Sequence, residues 1–222
     1  MSSATDGLNV NRPLLTETLL FYSLPAQYMD ASWWQPQWLP AALFERLRQN
    51  RRSQRHLSNF LVSHLGLGDD PLSGWEPARF KLAATPVQRL DRLITLAGIT
   101  LLSTAIAGVL RSRDRNRVTA QIGEQDYRFA VRRGRFLLQQ SRLAQSALDV
   151  GAPLPDPVDR ESRRLGMASL ATALQNAPAS LVRRTQLKFP RTAVEAHWQP
   201  LIPESQAFLR LFRLLDAQEQ PA

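Results

Sequence analysis

The side chains that could hold a metal or move a proton are few. The three histidines are His56, His64 and His197. The first two lie eight positions apart with no carboxylate at ligand spacing, which argues against a zinc-type site. The adjacent carboxylates Asp69-Asp70 sit between Gly68 and Pro71, the setting of a solvated turn rather than of an acid–base pair. The chain has no cysteine, which removes disulfides, thiolate zinc sites and thiol nucleophiles together and suits a reducing compartment. No phosphate-binding glycine loop, G-x-S-x-G elbow or H-E-x-x-H helix occurs. Nothing in the spacing joins a serine to a histidine and an acid. The reading is a protein that is not an enzyme, with no metal and no cofactor.

Arginine is what remains. Lysine and arginine number 28 against 19 acids, for a net charge of +9 and an isoelectric point near 11.2. Only Lys81 and Lys188 are lysine. A GC-rich coding sequence explains the choice of arginine but not the excess. Two runs concentrate the charge: Arg46, Arg48, Arg51, Arg52 and Arg55 with no acid between them, and Arg111, Arg113, Arg115 and Arg117 alternating with short polar residues. Runs of this kind are usually solvated. Four guanidinium forks without matching acid nevertheless set up a field that an acidic partner would neutralise. Arg48, Arg51, Arg52, Arg55, Arg111, Arg113, Arg115 and Arg117 are therefore the candidate partner-binding residues. The alternative is an arginine-rich helical nucleic-acid binder, but no helix-turn-helix spacing or RNP-like strand accompanies the charge.

The elements that must carry these residues read as helical. Leu43, Phe44 and Leu47, then Leu57, Phe60, Leu61 and Leu65, recur at three- and four-residue spacing, and Gly66 and Gly68 close the second run. Before them, Trp33-Trp34 and Trp38 with Pro36 and Pro40 cannot form a long regular element. They are expected to fold onto helices as an ordered cap, the alternative being an exposed aromatic patch. Residues 118–122 read as a brief strand or a helix. Residues 127–148 read as a long helix. Asp156-Pro157 opens another in N-cap/N1 fashion with Asp159 and Glu161 in its first turn. Residues 179–190 are ambiguous, and Phe208, Leu211, Phe212 and Leu215 mark a last amphipathic helix starting near Pro203-Glu204.

Residues 90–110, LDRLITLAGITLLSTAIAGVL, are uncharged from Leu93 onward and meet the length screen for a membrane span. Thr100, Ser103 and Thr104 fall on one helical face, whereas Ile94, Gly98, Leu101, Ala105 and Val109 fall on another. That sorting fits a core helix with one packed and one hydrogen-bonded side. Thr85 and Pro86 read as its N-cap and first residue, and Gly98 as a point that divides the run in two. The N-terminus has neither a basic n-region nor an apolar h-region, so no secretory signal is expected. With the central run in the core, no membrane span is expected either. The fold class is all-α, a compact multi-helix protein with room for one short strand pair. The expected organisation is a flexible tail over 1–13, an N-terminal helical lobe with the Trp-rich segment over 14–70, a connection over 71–84, and a helical core over 85–218.

Three segments together resemble the K proteins of type III secretion, the SctK/YscK-like sorting-platform adapters. The first is FYSLPAQYM with WWQPQWLP, where Phe21, Pro25, Ala26, Tyr28, Trp34 and Pro40 match. The second is the central run, through Leu96, Gly98, Ile99, Leu101 and Ile106. The third is LGMASLATAL followed by RRTQLKFP, through Gly166, Leu170, Arg184, Leu187, Lys188 and Pro190, with Phe189 where the family has leucine. The resemblance implies a mainly helical, non-catalytic protein on the cytosolic side of the injectisome, peripheral to the inner membrane. Its implied partners are the cytosolic domain of the inner-membrane ring protein and the pod protein of the sorting platform, with the stator and ATPase-regulator complex alongside and no nucleic acid.

Overall fold

The computed structural model describes residues 19–68, 76–143, 154–202 and 204–219. The expected tail over 1–13, the Asp69-Asp70 turn, the first part of the connection, the 144–148 end of the long helix, Gly151, Pro153 and Pro203 lie outside the described residues. Every described element is helical, so the protein is all-α, and no strand occurs among the described residues. The allowance for a strand pair is therefore withdrawn. Residues 118–122 finish a helix instead, because Val118 and Ile122, one turn apart, join the same apolar cluster. The chain divides into two compact units, Met1–Gly74 with Ala179–Arg191 and Trp75–Pro178 with Thr192–Ala222.

In the first unit a helical turn over 19–23 leads into α1 (Pro25–Tyr28) and a 3₁₀ turn, Ala31–Trp33, capped by the Asp30 carboxylate accepting from Ser32 N at 2.9 Å. α2 (Ala41–Gln49) and α3 (Arg51–His64) meet at Asn50, whose side chain accepts from Arg52 N at 3.0 Å and restarts the helix. Phe44, Leu57 and Leu61 turn inward. Trp34 stacks on Phe44 with ring centroids 4.1 Å apart, and its indole N–H donates to the Leu39 carbonyl at 2.8 Å. Trp33 and Trp34 are buried, so the aromatic knot is the expected cap rather than an exposed patch. The ambiguous stretch becomes α10 (Ala179–Gln186) and belongs to this unit.

The second unit is built on α5 (Val87–Ala107), preceded by α4 (Pro77–Ala84). α5 is one continuous helix with eleven buried residues, each large apolar one worth about 1.5–3 kcal/mol once removed from water. It is also the one helix among the described residues long and apolar enough to cross a membrane, and here its apolar faces are packed inside the unit. Two boundary readings are corrected. Pro86 is the N-cap and Val87 the first helical residue, while Thr85 ends α4 with its hydroxyl donating to the Lys81 carbonyl at 2.9 Å. Gly98 does not divide the helix, because its missing side chain lets another backbone approach.

That neighbour is α9 (Val158–Ala173), entered from Asp156 through a cis Pro157 that serves as the N-cap position and not as the first helical residue. α6 (Ser112–Ile122) is followed by α7 (Glu124–Phe129), a π-turn (Ala130–Gly134) and α8 (Arg135–Ser141), and these last three occupy the described part of the long helix expected over 127–148. Arg142 ends it in a left-handed conformation, φ 60°. On the polar face of α5 the Thr100 hydroxyl donates to the Leu96 carbonyl at 2.7 Å, whereas the buried Ser103 hydroxyl has no hydrogen-bond partner among the described residues and packs against Gly134. α12 (Ser205–Gln218) buries Phe208, Leu211, Phe212 and Leu215, the four positions its period marks. α11 (Arg191–His197) spans the boundary of the two units.

Candidate functional site

Segments more than 150 residues apart in sequence close on each other inside the first unit. Asp30 N donates to the Leu187 carbonyl at 2.7 Å, the Trp33 indole N–H to the Phe189 carbonyl at 2.8 Å, and Arg191 N to the Ser32 hydroxyl at 2.8 Å. The fourth link is the Arg184 guanidinium, which donates to the Tyr22 carbonyl at 2.7 Å. Arg184 stands on α10 and Lys188 in the turn that follows it, where Lys188 N donates to the Thr185 carbonyl at 3.1 Å, while the turn over 19–23 carries the Phe21 and Tyr22 rings and α1 that of Tyr28.

Cations here rest on aromatic faces. Arg184, 1% exposed, lies 4.6 Å from the Tyr22 ring centroid. Lys188 Nζ lies 4.6 Å from the Phe21 centroid and 5.5 Å from that of Tyr28. Arg183 and Arg191 cover Trp33 at 4.5 and 5.8 Å. Ring quadrupoles attract desolvated cations, which offsets part of the cost of taking them from water. Burial pushes the Lys188 ammonium down to about 7 and the Tyr28 phenol up to about 12, the latter against the opposing pull of Arg184. Arg183 is lowered by burial and by the charge of Arg191. Phe21 and Tyr28 stack at 5.2 Å, and the Tyr28 hydroxyl donates to the Phe21 carbonyl at 3.0 Å. The cluster is a clasp that holds two distant segments. Composition did not flag Lys188 or Arg184 as structural; the signal was that both belong to motifs carrying the resemblance.

None of the candidate partner-binding arginines belongs to this clasp. Arg51, Arg52 and Arg55 are exposed at the start of α3, and Arg48, half-buried, donates to the Gln27 carbonyl at 3.2 Å and pairs with Glu45 at 3.6 Å. No acid stands in the first turn of α3, so Arg51 and Arg52 oppose the positive end of the helix dipole, at a cost of about 0.3–1 kcal/mol each. In the second unit Arg111, Arg113, Arg115 and Arg117 are all exposed around the start of α6. Arg117 pairs with Asp156, and Arg115 reaches the Ser112 hydroxyl at 3.3 Å. Beside them lies a cleft of about 400 Å³ bounded by Leu110, which is 86% exposed, and by Arg111, Asp114 and Leu154.

The histidines do not converge. His64 stacks on Phe60, His56 is exposed, and His197 belongs to α11. Among the described residues no group of three or more histidines and acids could hold a metal ion.

A family model described as YOP proteins translocation protein K (YscK) matches residues 15–214. No curated protein and no solved structure gives a significant match. Residues that carry the resemblance lie mostly in the interior: Phe21, Ala26, Trp34, Arg184, Leu187 and Lys188 in the first unit, Leu96, Ile99, Gly166 and Leu170 in the second.

Proposed function

Because the chain belongs to the YscK family of type III secretion proteins, we propose that it is a non-enzymatic adapter on the cytosolic side of the secretion apparatus. It bridges the cytosolic domain of the inner-membrane ring protein to the pod protein of the sorting platform, and it stands beside the stator and ATPase-regulator complex. It is cytoplasmic, peripheral to the inner membrane and without a span of its own. A bridge needs two separate surfaces, and one observation supports that arrangement above others: each compact unit exposes its own arginine cluster. Arg48, Arg51, Arg52 and Arg55 stand on the first unit, and Arg111, Arg113, Arg115 and Arg117 on the second. The unfavourable placement of Arg51 and Arg52 at a helix start is what an outside counter-charge would relieve.

The test is co-purification of the full chain with ring and pod components. Arg51→Glu/Arg52→Glu is expected to release one of them and Arg113→Glu/Arg115→Glu the other. If both variants keep both partners, the cluster assignment is wrong. If the unaltered chain binds neither component, the bridge itself is.

A further inference from the structure

The helical run Glu124–Phe129, Ala130–Gly134 and Arg135–Ser141 contains a π-turn, a device that inserts one residue and re-aims those around it, frequently at functional sites. Gly134 is pressed so tightly against Ser103 that a side chain there would overlap it. The inner side of the turn is thereby seated on α5, and other residues of the turn face water. Val131 is 42% exposed and Phe136 64% exposed, with Arg132, Arg133 and Arg135 exposed about them. Arg128 is tied to Glu124 at 2.6 Å. Among the described residues Arg132, Arg133 and Arg135 pair with no acid, and Arg133 reaches only the Gln218 side chain at 3.4 Å. Alongside is a cleft of about 270 Å³ lined by Arg92, Arg128, Phe129, Arg132, Arg133 and Glu219.

We propose that this π-turn face docks an acidic segment of another protein, an apolar anchor against Val131 and Phe136 and carboxylates on Arg132, Arg133 and Arg135. Charge complementarity selects the partner, because three exposed arginines, with no acid paired to them among the described residues, adjoin Val131 and Phe136 in the same short stretch of chain. A single-stranded nucleic acid is served by successive rings, and here one ring is exposed beside a valine. A lipid surface takes a broad apolar helix face, whereas this one has two apolar side chains beside a concave cleft. The surface is made of residues that belong to neither arginine cluster, so it stands or falls independently of the bridging assignment.

The experiment places the photo-crosslinker p-benzoylphenylalanine at position 136 of the full chain in cells assembling the secretion apparatus, and maps the cross-linked peptides by mass spectrometry. The expected result is one acidic segment of a different protein. Arg132→Glu/Arg133→Glu should lower the yield at least about tenfold, while Arg160→Glu, at an exposed arginine of α9, leaves it unchanged. Circular dichroism checks that each variant is folded, and Arg132→Gln/Arg133→Gln carries the same comparison if charge reversal disturbs the fold. Cross-links to a second copy of the chain, to lipid, to nucleic acid or to a segment without acids overturn the proposal, as does the absence of any cross-link.

Discussion

Gly98 rests so closely on Ser162 that a Cβ at position 98 would overlap the Ser162 carbonyl, and one turn away Gly166 meets the Ile94 carbonyl in the same way. The paired order, 94 with 166 and 98 with 162, makes α5 and α9 run antiparallel. Two glycines, one on each helix and a turn apart along the contact, let the backbones touch where side chains would hold them apart.

Gly98→Ala and Gly166→Ala should each destabilise the protein by roughly 3 kcal/mol, because the obstructing atoms are backbone and cannot rotate away. Thermal denaturation followed by circular dichroism should show midpoints lower by about 6–12 °C for a chain of this size. Gly108→Ala is the control: its new Cβ would find its nearest neighbour at 3.4 Å, so the midpoint should stay within a degree or two.

Trp33→Phe keeps a ring beneath Arg183 but removes the donor to the buried Phe189 carbonyl. An unsatisfied carbonyl costs about 1–3 kcal/mol, read as a lower urea midpoint. Trp33→Leu also loses the cation–ring contact and should fall further, by about 0.5–1 kcal/mol. Equal stability of both variants with the unaltered chain would contradict the clasp.

Arg92 grips Asp126 with two bonds of 2.7 and 2.6 Å, and Asp126 is buried. Arg92→Leu strands that carboxylate and should cost about 1.5–3 kcal/mol. Asp126→Asn leaves a neutral acceptor in place and should cost less. Reversal of that order in chemical denaturation would count against the pair as an anchor of α7 on α5.

Stability should depend on pH through Lys188 and Tyr28. Lys188 is held down to about 7 when folded, against an ordinary 10.5, so between those values the unfolded chain binds the extra proton. Stability therefore rises as pH climbs from about 7 toward 10.5 and does not respond to this group below 7. Tyr28 is raised to about 12 from an ordinary 10.0, so above 10 the unfolded chain releases its proton first and stability falls. Urea midpoints at a series of pH values should show Lys188→Met flattening the rise and Tyr28→Phe flattening the fall. A rise that survives in Lys188→Met would remove Lys188 as its source.

Much of the architecture could be read from local pattern. The spacing of Phe208, Leu211, Phe212 and Leu215 predicts α12, and all four are buried. The sorted polarity of residues 90–110 predicts a packed helix, and α5 is one. The arginine runs were visible as composition, and in the structure seven of their eight candidate residues are exposed. Periodicity reports which face of an element is apolar, because side-chain direction repeats every few residues whatever the remote chain does.

What periodicity lacks is the identity of the opposing face. Gly98 looks like a helix break in isolation and is a contact only because Ser162 lies opposite. The π-turn that brings out Val131 and Phe136 depends on Gly134 being drawn onto Ser103, which no spacing along residues 127–148 records. Trp33 and Phe189 are distant in sequence, and their hydrogen bond exists only in the folded unit. Helix content, apolar faces and surplus charge were determined by the residues in order. Partnership among those faces was decided by tertiary packing, since close packing of rigid side chains admits few arrangements and selects among them by contacts remote in sequence.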